Sequence, residues 1–565
     1  MVILGIGGLG YRDASAALLV DGALVAAASE DRFTGVKHRG GWPRRAVAWC
    51  LAQAGIPLDR VDRVAVANNP WIPLREKVLS WYGERFFESR EFRAYHIFHD
   101  ETHESLLYLK ALEDLRAGAP DRVRVVRHHL CHAAAGYYAT AEEEAAVLVL
   151  DGRGEVSTSS LAAGRGAVLE VFRVEEMPNS LGLLSAAVAD FLGFQEQDDE
   201  FRVMSISASG ERRFRSEFSE IVRLVPEGGY SLDPDFFTFH EGRAVLSERF
   251  HATFGTARRP GGEVAEHHRD IAASLQGALE DAALHMAAHL RERTKAEALI
   301  VSGSLAQNWA LNGRLAREAP FGRVIAGPWC GDDGTAVGAA FQEWVEASGG
   351  TRPRPVPGAD LGPDLADAAV DEALAACRLE AERPADPAAA AAALVAEGKV
   401  VGYARGRAEF GPRALGHRSI LADATDPAIG DRLRRTVKPR ESHHPYGISV
   451  TAEAAAGLLE TPRDLPYMLV PAVVRAPERA RIPGVVLADG TVRIQTVTRD
   501  SDPGFHALLE GVGRRRGLAA AVNTSLNVPG RPPATTVREV LECFFTTGMD
   551  ALVVGSRLLR KGGRP

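Results

Sequence analysis

At 565 residues the chain exceeds what one hydrophobic core usually holds, so two or three domains are expected. Its 46% hydrophobic and 25% charged residues are those of an ordinary soluble globular protein, and a formal net charge of -8 argues against a generic nucleic-acid binder. The opening MVILGIGGLGYRD has no basic leader, no apolar run approaches the roughly 18 residues of a membrane span, and five scattered cysteines form no Cys-x-x-Cys pair; a cytoplasmic protein with neither nucleic-acid nor membrane partner is expected.

Val2 to Gly7 reads as a short apolar strand ending in glycine, Ala14 to Val20 as a second, Asp21-Gly22 as a tight turn and Ala23 to Ser29 as a third strand. Arg44 to Gly55 reads as an amphipathic helix, and the aromatic, charged stretch Trp71 to Leu112 as helical. Then comes Arg127-His128-His129-Leu130-Cys131-His132-Ala133. His128 and His132 stand four apart, so on a helix both imidazoles leave one face. Neutral imidazole is the commonest metal ligand, and Asp151, closing the apolar run Ala145 to Leu150, is a carboxylate candidate to join them. Taken alone, the spacing also fits a polar helix start with stacked histidines.

Ala145 to Asp151, Ser157 to Ala163, the Gly164-Arg165-Gly166 turn and Ala167 to Val174 repeat the N-terminal pattern of strand, polar loop and hairpin. Such a duplication suggests two similar halves closing around a cleft, as in actin and sugar kinases, with each polar loop facing nucleotide phosphates. Residues 183 to 194 read as a helix, and the acidic run Gln197 to Glu200 as a solvated turn. His268 to Arg291 carries apolar residues at helical spacing; His285 and His289 within it are read as structural. The strand Ala298 to Ser302, Gly303-Ser304 and a helix through Asn308 and Asn312 form a junction that can offer backbone N–H groups to phosphate. In Gly331-Asp332-Asp333-Gly334, glycines permit a close turn and the carboxylates can hold a metal or a ribose.

The Ser-Gly-Gly-Thr-Arg-Pro-Arg-Pro run opening at Ser348 is the clearest linker. Beyond it come a helix (Pro387 to Glu397), a strand (Val400 to Ala404) and a concentration of basic residues among glycine and proline. Arg407, Arg413, Arg418, Lys438 and Arg440 suit an anion pocket, because guanidinium grips phosphate bidentately. Ala519 to Val522 reads as a strand, and Asn523 to Gly530 as a run of side-chain donors for a small polar ligand.

Taken together, these motifs resemble the carbamoyltransferases that act on hydroxyls of nodulation factors, cephems and aminoglycosides. The resemblance runs through Asp13-Ala14-Ser15, Glu30-Asp31-Arg32-Phe33, the HHxxHA segment at His128 to Ala133, Leu150-Asp151-Gly152, Asp332-Asp333-Gly334, Glu409 to Gly416 and Asn523-Thr524-Ser525. It implies an α/β chain in three parts. Residues 1–347 would form a duplicated actin-like (ASKHA) domain similar to the tRNA threonylcarbamoyl-transfer subunit, 348–385 a linker, and 386–565 an α+β YrdC-like domain. The C-terminal domain would make carbamoyl-adenylate from carbamoyl phosphate and ATP, with Mg(II). The N-terminal site would pass the carbamoyl group to a hydroxyl of a small, natural-product acceptor.

The resemblance also implies residue roles. Metal ligands fall on His128, His132, Asp151 and Asp332, for Fe(II) first, with Mn(II) or Zn(II) beside it. Catalytic positions are Arg12, Asp13, His128, His132 and Asp332. Nucleotide contacts fall on Gly303, Ser304, Asn308, Asp333 and Gly334, and carbamoyl-phosphate or adenylate contacts on Arg413, Arg418, Lys438, Arg440, Asn523 and Ser525. The sequence departs from the family pattern at Arg12 (for His), Arg202 (for Lys), Ser304 (for Gly), His443-His444 (for Phe-Arg) and Arg531 (for Glu). Two rivals follow: N-carbamoyl transfer to an amine, and a degenerate nucleotide-binding paralogue acting as a partner. A homodimer is left open.

Overall fold

The computed structural model describes residues 1–8, 12–69, 122–195, 199–240, 243–438 and 446–561. The helical expectation for Trp71 to Leu112 lies outside the described residues, as do Arg440 and His443-His444.

Unit one comprises Met1–Val25 and Gly40–Pro355. Strands β1 (Val2–Gly7), β2 (Ser15–Val20), β3 (Ala23–Ser29), β4 (Arg63–Ala67) and β5 (Val123–Val126) form a sheet of order β3-β2-β1-β4-β5. Strands β6 (Glu144–Gly154), β7 (Ser157–Arg165), β8 (Val168–Glu176), β9 (Ala298–Ser302) and β10 (Arg323–Ile325) form a second, of order β8-β7-β6-β9-β10. The two orders are the same. In each sheet the first strand pairs antiparallel with the second and parallel with the fourth. The local cause is the same twice over: an apolar run, a tight turn with glycine, then a return strand. The duplication expected from the sequence is therefore present in the topology.

The central strands read as continuous apolar runs because both of their faces are covered. Ala145 to Leu150 and Leu299 to Val301 are buried throughout. Covering helices include His128–Tyr138, Leu181–Phe191, Glu266–Thr294 and Thr335–Ala347. Two of them touch backbone to backbone: a Cβ on Gly338 would stand 1.8 Å from the Cys131 carbonyl oxygen, so only glycine fits there. This crossing brings the turn before the Thr335–Ala347 helix up to the histidine-bearing helix.

Unit two comprises Val356–Pro565 together with Ala26–Arg39. Strands β11 (Val401–Ala404), β12 (Arg418–Asp423), β13 (Gly447–Thr451), β14 (Ile494–Val497), β15 (Ala520–Ser525), β16 (Ala551–Val554) and β17 (Arg557–Arg560) form a mixed seven-stranded sheet, β14-β13-β15-β12-β11-β16-β17. The Pro387–Ala396 and Pro503–Arg516 helices pack on it through Leu394, Val395, Phe505, Leu508 and Leu509. The linker expected over 348–385 proves shorter. Asp367–Ala376 is a helix with Val370 and Leu374 buried, and Arg557 Nη2 holds Asp371 at 2.6 Å, so the chain joins this unit from Val356 onward. The early segment joins it too: Ala27 N–H donates to the Leu361 carbonyl (3.1 Å) and Arg32 Nη2 to that of Gly411 (2.8 Å). Among the described residues no helix is long and apolar enough to cross a membrane.

Candidate active site

In unit one the chemistry gathers where β6 ends. The His128–Tyr138 helix starts after Arg127, whose extended backbone breaks from β5, and stacks His128 over His132 on one face. Both rings are fully buried. Strand β6 runs regularly to Leu150, then shifts register before Gly154, and this bulge presents Asp151 to the two imidazoles. The Gly338 crossing delivers Asp332 from the other side. One donor atom from each of the four residues lies within 4.8 Å of all the others. His128 Nε2 stands 3.0 Å from His132 Nε2, 3.4 Å from Asp151 Oδ2 and 3.5 Å from Asp332 Oδ1. His132 Nε2 stands 3.8 Å and 3.4 Å from the same two oxygens.

Those separations fit a shared cation. Four ligands each about 2.0–2.2 Å from a tetrahedral ion stand about 3.3–3.6 Å from one another. Asp332 Oδ1 is buried with no hydrogen-bond partner, as a ligand oxygen would be. The carboxylates also bear on the protonation of the rings beside them. Burial pulls His128 down, but the nearby carboxylates of Asp151 and Asp332 outweigh it and push its pKa up to about 10. Asp151 is held well below the carboxylate range despite its burial, through His128 and His132. Burial drives the neighbouring His129 the other way, to about 3, so it is a neutral ring, with Nδ1 bonded to Ser160 Oγ at 2.8 Å.

The junction expected to cradle phosphate is committed elsewhere. The Ser304 N–H and hydroxyl both donate to Asp151 Oδ1 (3.0 and 2.5 Å), orienting that ligand. The Gly303 N–H donates to the Cys330 carbonyl and the Gly334 N–H to that of Gly331, both at 2.9 Å. Asn308 caps the Trp309–Glu318 helix by accepting from Leu311 N–H at 3.0 Å. Backbone N–H capture of phosphate by Gly303 and Ser304 is corrected accordingly, and the Gly334 N–H is taken up within its own turn. The Asp333 carbonyl accepts from Ser15 Oγ at 2.7 Å, which ties the loop bearing Arg12 and Asp13 to the Asp332 turn. Asp13 has φ 57°, a left-handed conformation uncommon for a side chain. His285, read as structural, bonds the Val225 carbonyl at 2.7 Å.

In unit two the basic residues separate by role. Arg418 is fully buried, and its guanidinium donates to the carbonyls of Arg405 (2.7 Å), His417 (3.0 Å), Pro363 and Gly406 (both 2.9 Å). It pins both stems of the 405–418 loop, so its expected phosphate role is corrected to a structural one. The sequence pattern was the same for either role. Glu409 completes the pin from inside the loop: its Oε1 accepts from the N–H groups of Leu415 (2.7 Å), His417 (2.8 Å) and Arg418 (3.1 Å). Arg413 sits half-buried in that loop.

Lys438 is gathered with Ser525: its ammonium donates to the Ser525 carbonyl, to Ser525 Oγ (2.8 Å) and to Asn527 Oδ1 (2.7 Å). Asn527 is one of several donors in its run that sequence alone does not separate. Its two-residue offset from Ser525 at the end of β15 was the available signal. Asn523, one turn of pleat earlier, donates to Ser449 Oγ at 2.9 Å and leaves a buried Oδ1 with no hydrogen-bond partner. Of the departures, Arg202 lies over the Phe194 ring and bonds Asp199 at 2.9 Å, and Arg531 pairs with Glu542 at 2.9 Å.

Comparison with known proteins agrees with this two-part layout. Residues 2–341 match the family described as carbamoyltransferase N-terminus, and residues 392–561 that described as carbamoyltransferase C-terminus. The nodulation protein NolNO of Sinorhizobium fredii is 33% identical over 97% of this chain and 79% of its own length. An uncharacterized protein of Synechocystis is 32% identical over 100% of this chain and 97% of its own. The 3'-hydroxymethylcephem-O-carbamoyltransferase of Streptomyces clavuligerus is 36% identical over 48% of this chain and 50% of its own. With both halves matched in order, the chain belongs to the carbamoyltransferase family and is an enzyme.

Proposed function

We propose that this enzyme is an ATP-dependent O-carbamoyltransferase working in two stages. In the first, assigned to unit two as a YrdC-like domain, carbamoyl phosphate, ATP and one water give carbamoyl-adenylate, phosphate and pyrophosphate. The Lys438 ammonium, fixed by Ser525 and Asn527, is the cation for the dianionic donor, with Arg413 and Arg440 as further candidates. In the second, assigned to unit one as an actin-like domain, the hydroxyl of a small acceptor attacks the carbamoyl carbon and AMP leaves. His128, His132, Asp151 and Asp332 would hold Fe(II), Mn(II) or Zn(II), and a divalent ion there supplies Lewis acidity. Arg12 and Asp13 are the candidates to orient the acceptor and take its proton, on a loop tied to the Asp332 turn through Ser15.

The observation that carries the reading is the convergence of two imidazoles and two carboxylates in a buried cluster, on a chain matched by both carbamoyltransferase families. The named cephem relative favours oxygen over nitrogen as the attacking atom. Carbamoyl-phosphate-dependent exchange between ATP and pyrophosphate tests the division of labour. Lys438→Ala should lose exchange by roughly tenfold to a hundredfold or more, the value of a charge-assisted bond of about 1.5–3 kcal/mol. Asp332→Ala should keep exchange and lose carbamoyl transfer. Loss of the same stage in both variants would sink the two-site reading.

A further inference from the structure

The β6 bulge does more than present Asp151. Immediately after it, Glu155 is buried at 5% exposure and held at φ 57°, a left-handed conformation that a glutamate rarely adopts. That backbone turns its carboxylate back toward the start of the His128–Tyr138 helix. There a single oxygen, Oε1, accepts from the N–H of His128 at 3.1 Å and from the N–H of Asn69 at 2.6 Å. The first N–H groups of a helix have no partner within the helix, and a carboxylate at that end also suits the helix dipole. Asn69 lies just beyond β4, in the first sheet, while Glu155 follows β6, in the second. One oxygen therefore joins the end of the first sheet, the exit of the second and the backbone of the first histidine.

We infer that Glu155 is a positioning residue: it fixes the His128–Tyr138 helix along its axis so that His128 and His132 meet Asp151 and Asp332. This rests on the metal reading of that cluster. Positive φ at 155 is what the two-residue turn between Gly154 and Ser157 needs, and glycine or asparagine would suit it better; the mark of the role is that the position holds instead a buried carboxylate accepting from two N–H groups. Neither Asp151 nor Ser304 can do the same job. They orient a carboxylate ligand, whereas Glu155 holds the main chain that carries both rings.

The test uses the full chain and Co(II) as the probe, whose visible absorption reports the geometry of its ligands. Parent, Glu155→Ala, Glu155→Gln and Glu155→Gly are titrated, and each is melted in parallel. Glu155→Ala should bind Co(II) roughly tenfold to a hundredfold more weakly, with a shifted band, as removal of a ligand's support generally does. Glu155→Gln keeps an acceptor oxygen and should recover most of that loss. Glu155→Gly relieves the positive φ, so it should melt no lower than Glu155→Ala yet bind Co(II) as weakly; a merely structural role would restore affinity together with stability. If Glu155→Ala fails to fold, parental Co(II) affinity and band in Glu155→Gly overturn the inference. A parent that binds Co(II) and a Glu155→Ala that binds it equally well overturn it alone, whereas a parent that takes up no Co(II) overturns the metal reading and this inference with it.

Discussion

Gly154→Ala asks whether the cluster depends on ring placement as well as on ligand identity. All four donors stay in the sequence, and Gly154 is not at positive φ, so alanine meets no backbone penalty. What it meets is the His128 ring: the new Cβ would stand 2.3 Å from Cδ2, 2.6 Å from Cγ and 2.7 Å from Cβ. Carbon atoms settle about 3.5–4.0 Å apart, so the ring must retreat by roughly 1.2 Å or more. A functional constellation tolerates about 0.5 Å. His128 Nε2 would then leave the set of short separations, 3.0 to 3.5 Å, that it keeps with the other three donors. The expected cost is roughly tenfold to a hundredfold in metal affinity, or about 1.4–2.8 kcal/mol. Competition against a chelator, with Zn(II), gives the number. Gly152→Ala is the matched control, two residues earlier in the same bulge, where an added Cβ meets nothing within 4 Å. Parental affinity in Gly154→Ala, or an equal loss in Gly152→Ala, would refute the reasoning.

Metal uptake should expel a proton, because in the metal-free cluster Asp151 and Asp332, against the effect of burial, hold His128 protonated up to about pH 10. The apparent affinity should tighten by up to tenfold per pH unit on the way to that value, and calorimetry in buffers of different ionisation enthalpy should count close to one proton released. Arg418→Ala should destabilise unit two by about 3–5 kcal/mol in urea unfolding, since four carbonyls lose a buried donor; normal stability with only the adenylation stage lost would restore its phosphate role. Glu409 is buried, which raises its pKa, but His417, backbone N–H groups and Arg418 prevail and hold it below the usual range. Its contribution is therefore complete above the unfolded value of about 4.3 and fades as pH falls through the lower folded value. The melting-temperature gap between parent and Glu409→Gln should be widest near neutrality and close in acid.

Much of unit one could be read from local sequence. Apolar runs broken by Asp21-Gly22 and Gly164-Arg165-Gly166 specify hairpins by themselves, and the repeat of that pattern announces the repeated sheet. His128 and His132 were legible because helical spacing is a local property. Asp332 was legible as a carboxylate for a metal or a ribose, but its place beside the histidines came only with the family resemblance, since its approach depends on the helix crossing at Gly338, about two hundred residues from His132 in sequence. Arg418 was misread for a physical reason. An arginine among glycines and prolines looks the same whether it faces a ligand or its own loop's carbonyls, and only the fold counts those carbonyls. Glu155 was invisible because a bulge shifts which residues turn back, and no periodicity records that. Ser304 and Gly334 carry nucleotide contacts in the family resemblance, but their N–H groups have partners that sequence cannot name.

The membership of Ala26–Arg39 in the C-terminal unit has a consequence for synthesis. This segment leaves the ribosome early, yet the chain to which Ala27 and Arg32 bond begins about 320 residues later. At roughly 5–20 residues per second it waits about 15–65 s before its partners exist. The unit made later thus depends on a piece made about 320 residues earlier, and no single cut between the two units separates them completely. Any attempt to express the C-terminal unit by itself must supply residues 26–39 as a second chain or graft them onto it.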